Sequence, residues 1–116
     1  MRFVVIREQG RGWDPSRAMR QQDYWPEHVT FVNGIVDDGS MVLGGPLSQF
    51  DGNGMPVDPT EAVGPNRTYR ALIVLEADTQ EALMKLLDDD PWSKHHVLET
   101  AAIYRWEMLV GEIAAA

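Results

Sequence analysis

Apolar positions change their spacing several times along the chain, and each change marks an element. Residues 2–7 (RFVVIR) are β-branched and aromatic, and too few for a helix, so they predict a first strand. A loop carrying Gly10, Gly12 and Pro15 follows, and Asp14-Pro15 is a pair able to open a short helix. From residue 25 to residue 38 the period becomes helical. At about 100° per residue, Trp25, His28, Val29, Phe31, Val32, Ile35 and Val36 share one arc, while Glu27, Thr30, Asn33, Asp37 and Asp38 share the other. Gly39 is a suitable residue to end that helix.

Residues 40–47 (SMVLGGPL) predict a second strand, broken at its end by Gly44-Gly45-Pro46. A connection rich in glycine and proline runs from 48 to 68, a length at which loops often act as lids or mobile segments. Residues 69–76 (YRALIVLE) predict the third strand. Asp78, with Glu81 three residues later, has the spacing of a capping box for a second helix. Leu83, Leu86 and Leu87 form the buried side of that helix. Pro91 stops it, with room for a further turn over 92–96, and residues 97–110 predict a long fourth strand. The order β-α-β-β-α-β predicts an α+β, ferredoxin-like domain over residues 1–111: a four-stranded antiparallel sheet with two helices on one face. Residues 112–116 are expected to be a tail.

Two helices cover one sheet face, so the other face should be polar where it meets water. It is not. Tyr69, Ala71, Ile73 and Leu75 oppose Leu72 and Val74, and Phe3 and Val5 oppose Val4 and Ile6. Thr100, Ala102, Tyr104, Trp106 and Met108 oppose Ile103, Arg105 and Leu109, so by their period of two both faces are apolar. An apolar face of that extent calls for a cover. The expected cover is a second copy, sheet on sheet, giving a homodimeric barrel; the alternative is that the 48–68 loop folds over it.

Composition narrows the function classes. The 116 residues are sized for one domain, with 44% hydrophobic and 24% charged positions, which excludes disorder and coiled coil. There is no cysteine, hence no disulfide framework and no thiolate site. Ten basic residues against eighteen acidic ones leave a net charge of −8, which disfavours nucleic acid and anionic membranes as partners. Apolar runs such as 3–6 and 72–75 are far too short to cross a bilayer or to serve a secretory signal, so a cytoplasmic location is expected.

Three features carry candidate chemistry. His28 lies within the apolar arc of its helix, where an imidazole must find a partner for its N–H; it is either a structural histidine or a reactive one. Asp88-Asp89-Asp90 closes a helix against the macrodipole. Of the three, only Asp90 is held out of helical geometry by the following proline, so its carboxylate is aimed. Gly44-Gly45-Pro46 suits a bulge or the close approach of a ligand or side chain. Elsewhere, the adjacent His95 and His96 cannot share a face, and no third ligand is spaced to complete a metal site. The Asp51-Gly52-Asn53-Gly54 run has Met55 and Pro56 where a calcium loop needs a ligand and a glycine.

Trp25-Pro26-Glu27-His28-Val29-Thr30-Phe31 running to Gly39, Val42-Leu43-Gly44-Gly45-Pro46-Leu47, Asp90-Pro91-Trp92, and Trp106 make this sequence resemble the YCII-related family, within the dimeric α/β-barrel superfamily. The likeness extends over about residues 2–111, although the first loop and the 48–68 connection are expanded. The resemblance implies a homodimer and a catalytic pair made of His28 and Asp90. A carboxylate against one ring nitrogen would fix the tautomer and make the other a proton acceptor. Trp25, Gly45, Pro46, Trp92, Tyr104 and Trp106 are the candidate substrate-binding residues, the aromatics being equally suited to core or dimer interface. The expectation is an isomerase- or dehydrochlorinase-like enzyme acting without cofactor or metal on a small organic molecule; a non-catalytic ligand-binding or regulatory dimer is the alternative.

Overall fold

A computed structural model describes residues 1–111, so the expected tail at 112–116 lies outside the described residues. Four strands, β1 (Arg2–Gln9), β2 (Met41–Pro46), β3 (Arg70–Glu76) and β4 (Leu98–Arg105), form one sheet in the order β2-β3-β1-β4. Every neighbouring pair is antiparallel. The helices are α1 (Trp25–Asp37), α2 (Gln80–Asp88) and a single turn, α3 (Pro91–Lys94). β1 and β2 are separated by β3, and β3 and β4 by β1, which is the interleaved βαβ arrangement the element order predicts. Among the described residues no helix is long and apolar enough to cross a membrane.

Alternation sorts the sheet. Phe3, Val5 and Arg7 of β1 pair across to Leu75, Ile73 and Ala71 of β3, and these six share the helix-covered face. The main core lies there, between the sheet and the two long helices, and consists of Phe3, Val5, Ile35, Met41, Leu75, Leu83 and Leu87. A second cluster of Trp13, Met19, Trp92, Val97 and Leu98 closes one end of the sheet. On the other face Val74 is buried, but Leu43 is 46% and Tyr104 61% exposed, so the described residues leave those positions uncovered. The 48–68 connection does not cover them. That segment turns back on itself, with the Val57 N–H donating to the Gln49 carbonyl, and joins the first loop where the Gly64 N–H donates to the Pro15 carbonyl.

Several local expectations shift. α2 is capped by Thr79 and not by Asp78: the Thr79 side chain accepts from the Ala82 N–H. The short turn in the first loop falls at Met19–Gln21, beyond Asp14-Pro15. Val36, placed on the buried arc of α1, is 49% exposed. β4 ends at Arg105, well before residue 110, since Arg105 already pairs with Phe3 near the start of β1. Beyond it, the Trp106 N–H donates to the Arg2 carbonyl and Arg2 Nη1 donates to Met108 Sδ. β4 also carries a bulge. Ile6 faces Ala102 but Arg7 faces Thr100, so Ala101 is the extra residue, and Thr100, expected on the same face as Ala102 and Tyr104, is turned to the helix side.

Candidate active site

The site is built where α1, the α2–α3 turn and β1 converge. Pro91 occupies the first turn of α3, and Asp90 before it takes extended angles (φ −64°, ψ 124°) as its N-cap. One oxygen of Asp90 accepts from the Trp92 N–H at 2.9 Å, which pins the carboxylate. Across the gap, the Nδ1 of His28 on α1 lies 2.9 Å from each Asp90 oxygen. Asp90 is buried and His28 nearly so, with side-chain exposures of 6% and 14%.

Trp92 fixes the plane of the imidazole. Its ring, wholly buried, stacks on His28 with centroids 3.9 Å apart and planes 9° from parallel. Its indole N–H donates to the Asp23 carbonyl at 2.8 Å, just ahead of α1, so the residue that packs against the histidine also anchors that helix. Tyr24, the N-cap of α1, is left-handed (φ 65°) and stacks on His95, with centroids 3.7 Å apart. A non-glycine residue holds such angles only where its surroundings demand them.

His28 and Asp90 open onto a hollow of about 140 Å³ between α1 and the sheet. Its walls are largely apolar: Phe31, Val32 and Ile35 from α1 and Met41 and Ile73 from the sheet, with Gly44, Gly45 and Pro46 at the end of β2. The glycines differ in why they are glycine. A Cβ on Gly44 would meet Ile73 Cγ2 at 2.6 Å, whereas one on Gly45 would meet nothing within 4 Å. The bulge expected at this pair lies earlier in β2, between Met41 and Leu43. A larger open groove, about 550 Å³, runs between α2 and β4; His96 and Glu99 on its wall stand 3.9 Å apart and half-exposed.

The aromatic candidates divide. Trp92 backs the histidine, and Trp25, 5.8 Å from the His28 ring and 5.4 Å from Trp92, packs on the end cluster; neither lines the hollow. Tyr104 lies on the opposite sheet face and Trp106 beyond the end of β4, so the single chain does not bring them to His28. Among the described residues no group of three histidine, aspartate or glutamate side chains is placed to hold a metal.

Two wall residues went unremarked in the sequence. Arg7 is only 4% exposed, with Nη1 donating to Thr100 Oγ1 and Nη2 to Ser93 Oγ, and it stands 4.0 Å from Asp90. Burial pulls its pKa down against the opposing pull of Asp90. The period of two that buries Phe3 and Val5 also points Arg7 inward, and that was the available signal. Tyr69 stacks on Trp13, centroids 4.7 Å apart, and burial pushes its phenol up to about 12.

No family model matches the chain, and no curated protein does either. Among solved structures it is similar to 5-chloro-2-hydroxyhydroquinone dehydrochlorinase from Burkholderia phenoliruptrix, determined in complex with 2,5-dihydroxybenzoquinone. The two superpose with a TM-score of 0.62 at 20% identity, covering 92% of this chain and 94% of that one. A likeness at that identity is one of architecture: the chain shares the α+β fold of that structure.

Proposed function

We propose that this chain is a small-molecule enzyme of the YCII-related family in which His28, oriented by Asp90, takes a proton from a bound organic compound during an elimination or an isomerisation. The observation that carries the reading is the contact of Nδ1 with both Asp90 oxygens at the edge of an apolar hollow. Asp90 accepts the Nδ1–H, so the lone pair resides on Nε2. In an elimination, an acidic C–H or O–H bond breaks and its proton goes to Nε2. The released electron pair forms a new π bond, and the leaving group departs with its own bonding pair. A positioned base of this kind contributes about 10²–10⁴-fold in rate. The apolar lining favours a compact, flat compound, and the neighbouring fold's quinone ligand makes oxygenated six-membered rings the first compounds to try.

The reading includes a homodimer through the open sheet face. Exposed Leu43 and Tyr104, beside the partly buried Val4, Ile6 and Leu72, support it, because that apolar area invites a second copy.

The test is chloride release from chlorinated hydroxyhydroquinones, run beside calorimetric binding of 2,5-dihydroxybenzoquinone. Turnover that falls at least about 100-fold in His28→Gln, with binding retained, supports the proposal. Binding without turnover favours a non-catalytic ligand-binding dimer. Turnover unchanged in His28→Gln overturns the mechanism.

A further inference from the structure

Arg7 is the one buried cation of the site, and the pair proposed above does not use it. It reaches three elements at once: Ser93 on α3, Thr100 on β4, and Asp90, 4.0 Å away at the α2–α3 turn. Thr100 is available only because the bulge at Ala101 turns it inward. A buried guanidinium is retained at a cost unless a charge compensates it. Other charged groups around it are Asp88, at the end of α2, and Glu99, on β4; both are exposed and screened by water. α1 contributes His28, and β3 contributes the phenol of Tyr69, neutral at physiological pH.

We propose that Arg7 is the positioning residue that sets the charge state of the pair: its guanidinium offsets Asp90, so the buried group is neutral when His28 carries one proton on Nδ1 and a free lone pair on Nε2. The inference rests on the proposed role of His28 as a base. Without Arg7, the neutral combination is Asp90 carboxylate with doubly protonated His28, and a histidine in that form cannot accept a proton. Arg7 therefore favours the form of His28 whose Nε2 lone pair is free, acting on His28 and Asp90 while the chemistry passes through Nε2.

The experiment is an NMR titration of the His28 ring in the ligand-free protein, which is independent of any activity. In Arg7→Gln the titration midpoint of the coupled pair should rise by about one to two pH units. In Arg7→Lys it should stay near the wild-type value. An unchanged midpoint in Arg7→Gln, or an equal rise in Arg7→Lys, overturns the proposal in favour of a packing role. If Arg7→Gln does not fold, the Arg7 side-chain N–H resonances of the wild-type protein decide. They should move with the same midpoint as His28, and resonances that stay still through that titration overturn the proposal. Loss of turnover with this linkage intact would count against the mechanism of His28 alone.

Discussion

Replacing Asp90 by asparagine removes one charge while keeping nearly the same shape. Asparagine caps a helix about as well as aspartate, so the bond from the Trp92 N–H survives and α3 keeps its start. Its amide oxygen can still accept from His28 Nδ1. What goes is the counter-charge to Arg7, in a pair whose side chains are 5% and 6% exposed. Removing one partner of a buried pair costs about 3–5 kcal/mol. Here the charges stand 4.0 Å apart, and Arg7 keeps its bonds to Ser93 and Thr100. The expected loss is therefore smaller, about 2–3 kcal/mol. Urea unfolding followed by tryptophan fluorescence measures it, since Trp92 stacks directly on the site histidine. In the double variant with Arg7→Met, the orphaned cation is gone too, so the combined loss should fall short of the sum of the single losses by at least about 1.5 kcal/mol. A loss below about 1 kcal/mol for Asp90→Asn, or strict additivity in the double variant, would refute the view that these two charges compensate each other.

Gly44→Ala should destabilise the fold by about 1–3 kcal/mol in the same urea assay, because the new Cβ falls 2.6 Å from Ile73 Cγ2, whereas Gly45→Ala, opening onto free space, should fall within about 0.5 kcal/mol of wild type. The Tyr69 phenol is raised to about 12 from its ordinary 10.0, so the unfolded chain releases this proton first. Its stabilising contribution is complete below pH 10 and is lost as pH rises from 10 to about 12; Tyr69→Phe should flatten that part of an alkaline stability profile. Trp92→Phe keeps a ring against His28 but loses the donor to the Asp23 carbonyl, and should cost about 1–3 kcal/mol by thermal unfolding. Leu43→Asp and Tyr104→Asp, on the open face, should shift the sedimentation coefficient from that of a dimer to that of a monomer while the circular dichroism spectrum stays unchanged.

Much of this arrangement was legible in local pattern. The apolar arc of α1 places His28 on the same side as Phe31, Val32 and Ile35, and these line the hollow together. Asp90 was separable from Asp88 and Asp89 because a proline constrains the residue before it and leaves earlier ones alone. Gly10 and Gly12 were read only as loop residues. In the structure a Cβ on Gly10 would collide with the His96 carbonyl, and one on Gly12 with the His95 carbonyl. Both contacts are distant in sequence, so no local rule could have marked these two glycines apart from those of the 48–68 loop. The end of β4 is not legible for a related reason: residues 97–110 hold enough apolar positions for a strand throughout, but a strand continues only as far as its partner does.

The sequence by itself determined the order and kind of the main elements, the apolar character of both sheet faces, and which histidine and which aspartate had reason to be unusual. These follow from backbone geometry, because a period of two or of 3.6 and a proline's fixed ring act on near neighbours. Only the tertiary structure decided that His28 and Asp90, 62 residues apart, meet at 2.9 Å, that Trp92 holds the ring in plane, and that Arg7 becomes a third charge beside them. Such contacts depend on strand register, on a one-residue bulge and on the packing of three elements at one corner. Each of these is settled by the whole chain closing around a common core, and none by any short stretch of it.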